Sequence, residues 1–328
     1  MKKKILISTG GSGGHTIPAI TLYEHLKNDF EIFLTTDRRG TKYINKNIYN
    51  YKLIEIPRIS KNFFKLPYVL LFLIVSFFKS FFFIKKNNIQ VLISTGGYMS
   101  FPLCLSAKIL KIKIYLFEPN TVIGRSNKFF IKFSEKIISY SKNIKNFPEK
   151  YKHKIFLVNP LLRKKIYEEK INFKNKIKKS FTILIIGGSQ GAEFFDNEIS
   201  ELMIDLFKKY KISLIQQITN ENKKKIIGEK YKEIGIQYEL FSFSEEIFTK
   251  YNQVDFAITR SGASTISELI LLWRRSRTVG GIVPSSPFEP ITSRTVYSNS
   301  LNVFAIVESL LGNRFQPKRA ESEFIGRK

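Results

Sequence analysis

The chain has 328 residues, 43% of them hydrophobic, with 30 Phe and 15 Tyr, which excludes intrinsic disorder and suffices for two domains of ordinary size. A single cysteine, Cys104, excludes a disulfide framework or multi-cysteine zinc cluster within one chain, and His15, His25 and His153 lack metal-ligand spacing. The formal charge is +27, much of it lysine among Ile, Phe, Tyr and Asn, as an AT-biased genome produces, so its placement says more than its total.

Met1–Lys4 resembles a secretory signal start, but the apolar run Ile5–Ile7 stops at Ser8-Thr9-Gly10-Gly11, and no signal-peptide core fits there. Lys4–Ser8 reads as a strand entering Gly10-Gly11-Ser12-Gly13-Gly14, followed by an amphipathic stretch over Ile17–Leu26 and a strand over Glu31–Thr35. From Ile56 to Phe117 there is no acidic residue, while Arg58, Lys61, Lys65, Lys79, Lys85, Lys86, Lys108, Lys111 and Lys113 supply nine cations. Such a single-signed region attracts polyanions, either nucleic acid or an anionic lipid surface. Within it, Leu66–Phe78 is thirteen residues without a charge, ended by Lys79 and too short to span a bilayer unless Lys65 and Lys79 are absorbed. Helical spacing puts Lys61, Lys65, Ser76 and Lys79 on one stripe, with Val69, Leu70, Leu73, Ile74, Phe77 and Phe78 around the rest. Such a helix packs in a core or lies at a lipid interface; the acid-free surroundings favour a peripheral membrane contact through Lys65, Leu70, Leu73, Ile74, Phe77, Phe78 and Lys79.

Val91–Ser94 runs into Gly96-Gly97, with a helix-like segment over Pro102–Leu110, and Lys113–Phe117 and Lys136–Ser139 read as short strands. The theme repeats: Phe181–Ile186 enters Gly187-Gly188-Ser189-Gln190-Gly191, a helix runs to about Lys209, and Ile212–Ile218, Gln237–Phe241 and Val254–Ile258 read as strands, the last leading to Ser261-Gly262 and a helix from Ala263. Strands alternating with helices predict a parallel α/β sheet, here twice, with the break in Arg163–Lys179. Up to Leu272 there are 39 Lys and 6 Arg; from Trp273 onward there are 2 Lys and 7 Arg, and the strand–helix period is lost. That end reads as foreign or frame-shifted, or as an ordinary divergent terminus.

Glycine turns after strands let backbone N–H groups approach an anion, with the helix N-terminus adding positive charge. Neither the dinucleotide spacing G-x-G-x-x-G nor the P-loop signature is present, and the acidic residue expected about 20 positions on is ambiguous. Gly10-Gly11-Ser12-Gly13-Gly14-His15, Gly96-Gly97-Tyr98, Glu118-Pro119-Asn120, Gly187-Gly188-Ser189-Gln190-Gly191-Ala192 and Arg260-Ser261-Gly262-Ala263-Ser264-Thr265-Ile266-Ser267-Glu268 occur in an order that resembles the MurG family of peptidoglycan N-acetylglucosaminyltransferases, over about residues 3–272.

The resemblance implies a GT-B fold: two Rossmann-like domains with parallel sheets facing across a cleft, here an acceptor and membrane-associating domain over 1–162, a UDP-GlcNAc-binding domain over 163–272 lacking its closing strands, and an atypical tail over 273–328. It implies inverting transfer from UDP-GlcNAc to the MurNAc 4-hydroxyl of lipid I, at the cytoplasmic face of the bacterial inner membrane. No tightly bound metal is expected, since no Asp-x-Asp occurs, and no specific nucleic acid, since no helix-turn-helix or RNP signature occurs. His15 is the candidate general base, with Glu118 as the alternative; either residue also fits a purely hydrogen-bonding or structural role. Donor contacts implied are Ser12, Gly13, Gly14, Asn120, Arg163, Ser189, Ser244, Ser261, Gly262, Ala263, Ser264, Thr265 and Glu268, the last accepting from the ribose hydroxyls. Arg163 follows Asn-Pro with one residue more than the family pattern. Gly13, Gly14, Gly96, Gly97 and Tyr98 would cradle the acceptor diphosphate. Competing readings are another GT-B glycolipid glycosyltransferase and an inactive membrane-associated member; the departing tail predicts weak or absent activity for the chain as written.

Overall fold

The computed structural model describes residues 2–55, 66–168, 180–187, 195–242, 244, 246–259 and 264–269. The strands anticipated from the sequence form, and they form two sheets. The first holds β1 (Lys4–Ser8), β2 (Glu31–Thr36), β3 (Tyr51–Leu53), β4 (Val91–Ser94), β5 (Lys113–Glu118), β6 (Lys136–Ser139) and β7 (Ile155–Leu157). Its order is β3-β2-β1-β4-β5-β6-β7, and every pairing is parallel. The second holds β8 (Phe181–Ile186), β9 (Ile212–Gln217), β10 (Gln237–Phe241) and β11 (Phe256–Thr259) in the order β10-β9-β8-β11, also parallel.

Helices cover both faces, which is why β1 and β4 read as continuous apolar runs with no alternation. They are α1 (Gly13–Leu26), α2 (Leu66–Lys86), α3 (Ser100–Ile109), α4 (Arg125–Phe130), α5 (Lys164–Glu168), α6 (Ser200–Phe207), entered through a wider turn over Phe195–Ile199, α7 (Glu221–Ile234), and α8 over 264–269. Leu6, Leu92, Leu103, Leu116 and Phe130 centre the core on one face of the first sheet, and Ile7, Ala19, Leu34 and Phe117 that on the other. In each sheet strand order reverses beside the first strand of its unit, between β1 and β4 and between β8 and β11. Open α/β sheets bind ligands at the carboxyl ends of such strands.

The sequence expectation for α2 needs correction. The helix is 21 residues long and runs through Lys79, because a lysine stem lies along the helix while its ammonium reaches water. Among the described residues, Pro67–Lys86 is the helix long and apolar enough to cross a membrane by length and composition. Its polar stripe is also different: Ser76 is buried, donating to the Glu55 carbonyl at 2.7 Å, while Lys79 is exposed. Leu73, half-buried, packs against the core that α3 lines, and Phe77 is half-buried, whereas Leu70 (58% exposed), Ile74 (46%) and Phe78 (50%) face outward. Lys65 and the tail over 273–328 lie outside the described residues.

Candidate functional site

The turn after β1 is tied to the one after β2 by a carboxylate that the sequence reading left ambiguous. Asp37 Oδ1 accepts the Gly11 and Gly40 backbone N–H groups, each at 2.9 Å. Its Oδ2 accepts from Arg39 Nε at 2.8 Å and Nη2 at 2.5 Å. In a dinucleotide fold an acid at the end of the second strand would take the ribose; here both oxygens hold the protein's own loop. That hold keeps Gly11 in the left-handed region, φ 86°, and aims the next residues into α1. A Cβ on Gly97, itself at φ 89°, would come within 2.9 Å of the Gly10 carbonyl oxygen, so the turn after β4 can close on the first turn only as glycine.

His15 sits in the first turn of α1, between these two loops. Its Nδ1 lies 2.7 Å from the Thr95 carbonyl oxygen. A carbonyl only accepts, so Nδ1 carries a hydrogen, and in the neutral imidazole the lone pair is on Nε2. Gly96 makes room for the ring: a Cβ there would stand 3.2 Å from His15 Cε1. Ser12 is the residue before α1 and makes no side-chain cap, leaving the first amides of the helix, those of Gly13 and Gly14, without that partner. Tyr98, which follows the second glycine turn, is exposed.

Glu118, at the end of β5, is 2% exposed and spoken for. Its Oε2 accepts from Gly124 N at 2.8 Å and Asn127 Nδ2 at 3.0 Å, and its Oε1 from Asn120 Nδ2 at 3.1 Å. Such a carboxylate orders the loop that carries Asn120. This geometry is that of the structural alternative, and a base at Glu118 would have to give up these donors.

In the second unit two of the expected residues, Arg163 and Glu268, meet. Glu268, on α8, is 3% exposed. Arg163 Nε donates to its Oε1 at 2.8 Å and Nη2 to its Oε2 at 2.6 Å. The guanidinium carbon lies 5.0 Å from the centroid of the Phe248 ring, and the Tyr251 hydroxyl stands 3.4 Å from Glu268 Oε2. Burial, and secondarily the Glu268 carboxylate, pushes the Tyr251 phenol far up. Sequence reasoning missed Phe248 and Tyr251, whose only signal was an aromatic pair on one helical turn. Ser264 and Thr265 are half-buried on α8, and Ser244 Oγ accepts from Glu246 N at 3.1 Å, a local turn. Ser189, Ser261, Gly262 and Ala263 lie outside the described residues, in the connections that follow β8 and β11.

Two parallel-sheet units of this topology make a GT-B fold. The profile of the glycosyltransferase family 28 N-terminal domain matches residues 5–139, and that of the family's C-terminal domain matches 182–275; the chain belongs to glycosyltransferase family 28. The UDP-N-acetylglucosamine–N-acetylmuramyl-(pentapeptide) pyrophosphoryl-undecaprenol N-acetylglucosamine transferase of Pelagibacter ubique is 50% identical over 272 residues, covering 82% of this chain and 75% of its own length. The transferase of that name from a Wolbachia strain is 38% identical over 277 residues, with 82% and 75% covered. Among solved structures, MurG from Acinetobacter baumannii superposes with TM-score 0.59 at 20% identity, covering 82% of this chain and 76% of its own. The UDP-GlcNAc 2-epimerase of Neisseria meningitidis superposes at 0.54 with 16% identity, covering 79% and 78%. At these identities the superpositions speak to fold alone.

Proposed function

We propose that this glycosyltransferase moves N-acetylglucosamine from UDP-GlcNAc to the MurNAc 4-hydroxyl of undecaprenyl-pyrophosphoryl-MurNAc-pentapeptide, forming lipid II with inversion at the anomeric carbon. The observation that supports the mechanism is the 2.7 Å approach of His15 Nδ1 to the Thr95 carbonyl oxygen, which in the neutral ring leaves the lone pair on Nε2, between the glycine turns after β1 and β4. The acceptor oxygen forms its bond to the anomeric carbon as the bond to the UDP oxygen breaks on the opposite face, and Nε2 takes the hydroxyl proton. Charge developing on UDP is met by helix N-termini and hydroxyls, Ser189 and Ser261–Thr265 in this reading, with Glu268 on the ribose, Ser244 at the base, and Ser12, Gly13, Gly14 and Asn120 at the sugar. No resident metal enters this scheme. Gly13, Gly14, Gly96, Gly97 and Tyr98 receive the acceptor diphosphate. Leu70, Ile74, Phe78 and Lys79 on the outer face of α2 rest on the cytoplasmic leaflet of the inner membrane, their exposure being what supports a peripheral contact.

Residues 276–328 fall beyond both family matches, and this favours weak turnover by the chain as written. Transfer of radiolabelled GlcNAc into butanol-extractable lipid, with lipid I in detergent, tests the proposal. Label above the background set by Glu268→Ala supports it; label at that background with intact UDP-GlcNAc binding leaves an inactive member of the family.

A further inference from the structure

The Arg163–Glu268 pair joins residues 105 positions apart, and its surroundings fix the arginine from both ends. On the backbone side, Leu162 is buried in the apolar cluster with Ile166, Leu184, Ile186 and Phe248. The Leu162 carbonyl accepts from His25 Nε2 at 2.9 Å, in the last turn of α1, the helix that His15 opens. On the side-chain side, the guanidinium lies over Phe248, and its fork meets both oxygens of Glu268. Only 17% of the Arg163 side chain and 4% of the Glu268 side chain are exposed.

A buried carboxylate needs a countercharge, and a bidentate arginine also fixes its plane. An ionised carboxylate has about four acceptor positions. Arg163 occupies one on each oxygen, and the remaining ones suit a pair of neighbouring hydroxyls. Tyr251 touches one of these at 3.4 Å, longer than a good O–H···O bond, so an incoming hydroxyl can replace that contact at little loss.

We infer that Arg163 is a positioning residue: it acts through Glu268, presenting that carboxylate as a preformed acceptor for the vicinal diol of a nucleotide ribose, while its link to Leu162 and His25 ties the acceptor to the helix that carries His15. This rests on the proposed reading of Glu268 as the ribose contact. It differs from a role for Arg163 on the donor diphosphate, and the two roles separate by ligand. A phosphate contact stabilises every uridine diphosphate sugar alike; a residue that aims Glu268 matters only when the hydroxyls are present.

The test is isothermal titration of the full chain with UDP-GlcNAc and with its 2′-deoxyuridine analogue. One charge-assisted hydrogen bond to the 2′-hydroxyl corresponds to a preference of about tenfold or more for the ribose ligand. In Arg163→Met that preference falls to about threefold or less, because UDP-GlcNAc loses more affinity than the analogue, which keeps only its 3′-hydroxyl on Glu268. Arg163→Lys keeps the charge beside Glu268 but not the fork, so it folds even where the methionine variant does not, and shows the same narrowing. Equal weakening of both ligands in Arg163→Lys, or full retention of the preference, overturns the inference. Glu268→Gln reports separately on the underlying reading: a preference kept there while UDP-GlcNAc still binds places the ribose elsewhere. Absence of UDP-GlcNAc binding by the unsubstituted chain overturns both.

Discussion

Asp37→Asn isolates the carboxylate that ties the first glycine turn to β2. The wild-type side chain is 5% exposed and takes four donors, two backbone N–H groups on Oδ1 and two arginine N–H groups on Oδ2. Asparagine can keep its oxygen on Gly11 and Gly40 at neutral strength. Its amide nitrogen then faces the Arg39 guanidinium, donor against donor. Removing one partner of a buried pair costs about 3–5 kcal/mol; Arg39 is about one-third exposed and can turn to water, which lowers the expected loss to about 2–3 kcal/mol. For a unit of this size that is a fall in melting temperature of about 5–10 °C. Differential scanning fluorimetry reads it, and Arg39→Met, which leaves both backbone bonds in place, should fall by less. A melting curve for Asp37→Asn within a degree of wild type would refute the reasoning, because it would mean that the carboxylate holds nothing the fold depends on.

His15→Gln should lower turnover about 10²–10⁴-fold in the labelled-sugar assay while leaving UDP-GlcNAc affinity within about threefold; ordinary turnover would remove the base role. Leu70→Asp combined with Phe78→Asp should abolish flotation with anionic vesicles without lowering the melting temperature, since both side chains are exposed; unchanged flotation would clear α2 of membrane contact. Burial pushes the Cys104 thiol up to about 12, so the native chain should resist thiol reagents at pH 8 and react only once unfolded in urea. The sign of the linkage follows: the folded state keeps this proton to about 12 and the unfolded one loses it near 9.0, so stability from this group is intact below pH 9 and is lost as pH rises above it.

What the sequence made legible follows from burial. Strands β1, β4, β6, β8 and β10 begin and end where the sequence places them, and the other expected strands fall within two residues of theirs. Strands β3 and β7 were illegible because each is three residues long, sits at a sheet edge and buries little. Helix α7 was missed for another reason: its sequence, ENKKKIIGEKYKEI, is polar nearly all round, with Ile227, Gly228 and Tyr231 its only buried positions. Its ends carried the signal. Asn220 caps Lys223 N, and Gly235 closes the helix at φ 83°. The glycine turns at the site were legible because their residue type is a backbone requirement. Asp37 and Gly11 were not connected in advance, since their bond exists only once β1 and β2 lie in parallel register.

The fate of α2 shows why composition alone does not decide between lying on a bilayer and crossing it. At about 1.5 Å per residue the helix is long enough for a hydrocarbon core of about 30 Å. One stripe of it is already committed. Val69, Ser76, Ser80 and Ile84 are buried, and Leu73 packs against the same core. Two of the buried residues are serines, one bonded to the Glu55 carbonyl and one to the Ser76 carbonyl. On the facing helix, Ser106 donates to the Phe77 carbonyl at 3.2 Å. To cross a membrane the helix would have to break its bonds to Glu55 and Ser106 and strip α3, exposing Leu103 and Ala107, both wholly buried now. The opposite stripe, with Leu70, Leu71, Phe78 and Phe82 outward, gives up nothing by meeting lipid. The two stripes make α2 a wall of the first domain that can rest on a membrane with the sheet, and His15 at its carboxyl edge, left on the aqueous side.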